Sequence, residues 1–85
     1  MIVYHVTSAH KLKHYLESGR ILPPVRAWKT IECAEKFSIQ TGRPIILRLK
    51  FPRNAVRLEG HRGYALYIED SYPMEKLFGK TFSFG

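Results

Sequence analysis

Cysteine is nearly absent from this 85-residue chain. Cys33 stands alone, which excludes a disulfide within the chain and a cysteine-built zinc cage. On a helical stretch a lone cysteine reads as a small packing residue. Acidic side chains are scarce as well. Seven Asp and Glu face fourteen Lys and Arg, a formal charge of +7, and that imbalance favours phosphate-bearing partners. Long apolar runs are missing: nothing approaches the roughly 20 residues that cross a bilayer. The first residues also lack the basic, apolar, small-residue order of a signal peptide. A cytoplasmic protein with no membrane partner is the expectation. There is no HExxH helix, Walker loop or RNP-type motif, and no internal repeat, low-complexity tract or interdomain linker.

What is present suffices for one small core. Apolar residues make up 45% of the chain, with five Phe, five Tyr and one Trp, too many for a disordered segment. Residues 1–85 therefore read as a single compact domain. A domain this short keeps much of its chain near the surface, so a homodimer would add stability that the core alone lacks.

Residues 2–6 alternate and are rich in β-formers, so a strand is expected there. Thr7 or Ser8 then caps a helix over 9–18, in which Leu12, Tyr15 and Leu16 share a face and Gly19 supplies the left-handed stop. Pro23 and Pro24 forbid helix and favour an extended crossover from which Val25 and Trp28 turn inward. Thr30 caps a second helix, with Glu32 and Glu35 in its first turns and Ile31, Ala34, Phe37 and Ser38 on one face. Gly42, Arg43 and Pro44 end it. In the stretch 44–51, Ile45, Leu47, Leu49 and Phe51 fall on one side and Ile46, Arg48 and Lys50 on the other, the signature of a half-buried strand. Two further strands are expected at 55–58 and 64–69, joined by a tight turn at 60–63. A helical turn at 74–78 and an extended piece at 80–84 close the chain. The order β-α-α-β-β-β predicts an α+β domain, a mostly antiparallel sheet with two short helices packed against it.

The first strand carries the residues with chemical potential. His5 and Thr7, two apart on a strand, face the same side and together offer a donor, an acceptor and a hydroxyl suited to a ribose diol. Tyr4-His5-Val6-Thr7, followed by a helix ending Leu16-Glu17-Ser18-Gly19-Arg20-Ile21-Leu22, resembles the opening of the ADP-ribosyltransferase superfamily. There, strand one carries His-x-Thr and helix one ends in Gly before an apolar residue. Branches acting on DNA or removing an RNA 2'-phosphate open similarly. The likeness extends through Trp28, Ala34, Phe37 and the strand at 45–51, covering about the first 50 residues. Position 6 is Val where many relatives have Gly, and the chain is short for that fold, which implies a reduced or degenerate member.

The resemblance implies NAD as cofactor, or another phosphorylated nucleoside as ligand, and transfer of ADP-ribose to a nucleic acid or protein. His5 and Thr7 would hold the nucleoside, Trp28 would stack on nicotinamide, and a late glutamate would stabilise the oxocarbenium charge. Glu69, closing a predicted strand, fits that role better than Glu75 in a helical turn. Arg20 and Arg26 are the expected phosphate contacts.

Two other readings rest on charge. Arg43, Arg48, Lys50, Arg53, Arg57 and Arg62 lie within a twenty-residue stretch whose one acid is Glu59. With Tyr64 or Tyr67 on a neighbouring strand, they would form a single-stranded nucleic-acid face. The same face would suit an acidic protein partner of the toxin–antitoxin kind. His5, His10 and His14 raise the question of a metal, but without an accompanying acid motif they read as ordinary histidines.

Overall fold

The computed structural model describes residues 1–60, 64–77 and 79–82. It is an α+β fold: β1 (Ile2–Thr7), α1 (Ala9–Ser18), β2 (Arg20–Ile21), β3 (Val25–Trp28), α2 (Ile31–Thr41), β4 (Ile45–Lys50), β5 (Arg57–Gly60), β6 (Ala65–Ile68), β7 (Tyr72–Pro73) and β8 (Gly79–Phe82). Short 3-10 turns occupy Arg53–Ala55 and Met74–Lys76. Six strands form an antiparallel sheet in the order β5-β6-β3-β1-β4-β8, while β2 and β7 pair separately.

Alternation along the strands sends two sets of side chains to opposite faces. On one face Val3, Val25, Ala27, Ile45, Leu47, Leu49, Leu66 and Ile68 form the main core, closed by Leu12 of α1, by Ile21 and Tyr72 of the small sheet, and by Phe51 and Met74. On the other face Val6 and Ile46 meet Ala34, with Tyr4, Trp28, Ile31 and Phe37 packed around them. The two helices therefore lie on opposite faces of the sheet.

Both helices start and stop where their side chains dictate. Ser8 caps α1 by accepting from Lys11 N, and Thr30 caps α2 by accepting from Cys33 N. Gly19 (φ 78°) and Gly42 (φ 68°) end them in the left-handed region, which glycine enters without the steric penalty of a Cβ. Substituting Ser8 by alanine orphans an N-terminal N–H, and thermal unfolding is expected to show a loss of about 1 kcal/mol. A variant melting with wild type would show that α1 is held by packing alone. Cys33 is half-buried on α2.

Several expectations are corrected. Leu16 is 62% exposed, because the α1 face that meets the sheet is only wide enough for Leu12 and Tyr15. Residues 25–28 are no mere crossover but a central strand between β1 and β6, and Val25 and Trp28 pack on opposite faces of it. The strand expected at 55–58 begins at Arg57, since Arg53–Ala55 winds into a 3-10 turn and Ala55 N donates to Pro52 O. The expected turn at 60–63 and closing piece at 80–84 fall partly outside the described residues. Among those described, no helix is long and apolar enough to cross a membrane.

Candidate functional site

The central seam of the sheet is uneven. β1 pairs with β4 through six residues, Ile2↔Lys50 to Thr7↔Ile45, but with β3 only at Tyr4↔Trp28. Beyond that point a cavity of about 1060 Å³ opens, lined by His5, Tyr15, Arg26, Trp28, Phe37 and Glu59, with Lys11, His14, Glu17, Arg20 and Arg43 also contributing. Its volume lies at the upper end of small-ligand and cofactor sites.

His5 spans the seam. Its Nδ1 lies 2.5 Å from the Arg26 carbonyl oxygen, which can only accept, so Nδ1 carries the proton. Nε2 is then an acceptor, and the Tyr15 hydroxyl donates to it at 3.3 Å. The imidazole is 9% exposed. Burial holds its pKa below the ordinary value of 6.5; the Arg26 carbonyl opposes this, and the Lys11 and Arg43 charges add to the depression. His5 thus enters the site as a neutral, oriented hydrogen-bonding group. Trp28 packs against Phe37 with ring centroids 5.4 Å apart.

A carboxylate reaches the same cavity from the sheet edge. In the β5–β6 ladder Leu58 pairs with Leu66 and Gly60 with Ala65, leaving Glu59 as the extra residue of an irregular register. Such a bulge re-aims the side chain it carries. Here the Glu59 carboxylate accepts from Arg26 Nε at 2.7 Å, with Glu59 33% and Arg26 65% exposed. Arg20 Nε donates to Ser71 Oγ at 2.6 Å. Arg43 is positioned from its backbone: its N–H donates to Ser38 O, and its carbonyl accepts from the buried Ser38 hydroxyl.

Of the residues expected from sequence, His5, Arg20, Arg26 and Trp28 line the cavity. Thr7 does not: it is fully buried, and among the described residues its Oγ1 has no hydrogen-bond partner. The expected pairing of His5 and Thr7 in one open site is therefore not formed; the hydroxyl beside His5 in the cavity is that of Tyr15. Glu69 is exposed just past β6 and does not line the cavity; it lies in an adjoining, more open groove that shares Pro24, Arg26 and Glu59 with it. Glu75 is exposed in the second 3-10 turn. Glu59 was not foreseen, although a glycine inside a β-pattern, here Gly60, is the sequence signal for a bulge.

The basic residues are dispersed. Arg48 and Lys50 are exposed on β4, whose neighbours are β1 and β8, so the aromatic beside them is Tyr4 and neither Tyr64 nor Tyr67. Arg57 stands on β5, with three strands between it and β4. Arg53 is exposed in the intervening 3-10 turn, Arg43 turns to the cavity, and Arg62 lies outside the described residues. Among the described residues no group of three or more His, Cys, Asp or Glu is placed to hold a metal ion. No protein-family model, curated protein or solved structure matches the chain.

Proposed function

We propose that this chain is a small ADP-ribosyltransferase-like domain that binds NAD or another phosphorylated nucleoside in the cavity beside β1. The observation that carries the reading is that His5, Trp28 and Glu59 line one concavity. Trp28 offers a ring for stacking, and the Tyr15 hydroxyl, oriented by donating to His5, offers its oxygen as an acceptor for a ribose hydroxyl. Arg26 is engaged by Glu59, so the phosphates fall to Arg20 together with Lys11 and Arg43. In the transfer that the resemblance implies, the bond from ribose C1 to nicotinamide breaks and a nucleic-acid or protein nucleophile takes its place. A fixed carboxylate near C1 then stabilises the cationic transition state, and the role assigned to Glu69 from sequence passes to Glu59.

Calorimetry with NAD, ADP-ribose and nucleoside phosphates tests the binding step. One of them is expected to bind, and Trp28→Ala to weaken that binding by about 1–3 kcal/mol, the worth of a stacked base on an aromatic ring. Should all fail at millimolar concentration, the reading falls. Glu59→Gln is expected to keep the ligand while slowing transfer roughly a hundredfold or more.

A further inference from the structure

On the outer side of α1, His10 and His14 are both exposed and four residues apart, so one helical turn brings them together. Their Nε2 atoms stand 3.3 Å apart, with ring centroids at 4.7 Å and planes at 85°. That separation is set by a long hydrogen bond from one ring to the other. It also matches the bite of a tetrahedral ion: two imidazole nitrogens bound to zinc at ~2.0–2.1 Å on tetrahedral positions stand about 3.3–3.4 Å from each other.

We propose that His10 and His14 form a two-histidine site for Zn²⁺ or a related first-row transition ion. Imidazole nitrogen is the ligand type these ions favour over Mg²⁺ or Ca²⁺. The helix backbone fixes both rings on one face, so little conformational freedom is lost on chelation. With no third protein ligand among the described residues, two coordination positions remain for water or an acidic ligand. An arrangement of this kind exchanges ligands, unlike a closed structural centre with four protein donors. His14 and Glu17 also line the cavity, so an ion held here sits at its rim. The proposal does not depend on the nucleotide reading.

The test is a Zn²⁺ titration of the full chain, stripped of metal with a chelator, by calorimetry. One ion per chain is expected. His10→Ala and His14→Ala are each expected to weaken binding roughly tenfold or more, whereas Cys33→Ser leaves it unchanged. Both histidines are exposed, and alanine is the best helix former, so circular dichroism is expected to show α1 intact in these variants. Absence of binding at millimolar Zn²⁺, or binding that survives the double alanine variant, overturns the proposal. So does binding lost in Cys33→Ser but kept in His14→Ala.

Discussion

Replacing Phe51 by alanine is expected to lower the unfolding free energy by about 3–5 kcal/mol. Phe51 is 1% exposed in the main core and lies 6.2 Å, centroid to centroid, from the Tyr72 ring. Its main chain is doubly bonded to Met1, donating from N to Met1 O at 2.9 Å and accepting at O from Met1 N at 2.8 Å. Those bonds hold the backbone in place, so the sheet cannot collapse into the space a lost ring leaves, and a cavity cost adds to the lost burial. Tyr72 cannot easily follow, because its hydroxyl accepts from Lys50 N and donates to Lys76 O. A domain of this size holds about 4–13 kcal/mol in total, so the loss removes from about a quarter of that stability to all of it, and urea melts are expected to show the transition moved to much lower denaturant. A loss under about 1 kcal/mol would mean that the ring contributes little beyond what the surrounding core repacks.

Stability is also expected to fall with acidification because of His5. In the native chain, burial first, then the Lys11 and Arg43 charges, keep the imidazole neutral below its ordinary range, against the pull of the Arg26 carbonyl. In the unfolded chain it takes up a proton near pH 6.5. Below that pH the unfolded state binds the extra proton, so unfolding becomes easier as pH drops, by at most about 1.4 kcal/mol per pH unit until the native pKa is reached. Above pH 6.5 both states are neutral, and His5 adds no pH dependence. Comparing wild type with His5→Gln by urea unfolding between about pH 7.5 and 5 isolates this contribution from the other titrating groups. Equal slopes for the two proteins would show that the native imidazole accepts a proton as readily as the unfolded one.

Much of this architecture is legible in the residues because local signals agree. Ser8 and Gly19 bracket α1, Thr30 and Gly42 bracket α2, and alternation in β4 separates Leu47 from Arg48 without ambiguity. What escapes is long-range. Residues 25–28 are only four long and follow Pro23 and Pro24, so nothing local tells a central strand from a passing loop; their place depends on partners at Tyr4 and at 65–68. The site divides in the same way. His5 and Trp28 are recognisable by type and position, whereas Glu59 meets them only through an irregular strand register. Thr7 looks like a ligand-facing hydroxyl until the seam is seen, because alternation gives the side of a strand and not whether that side is open. Tyr15 reads as core from its spacing, and the half-burial that leaves its hydroxyl beside His5 is set by the width of α1's contact.

The lone Tyr4↔Trp28 pairing has a mechanical corollary. The three strands on each side of that junction form well-laced panels, β5-β6-β3 and β1-β4-β8, and past the junction a side chain bonds across from His5 to the Arg26 carbonyl. A molecule stitched in this way is weakest along its midline. Amide hydrogens of β1 directed toward β3 should trade with deuterium before those directed toward β4, and a guest lodged between the panels should slow that trade by acting as the missing lacing.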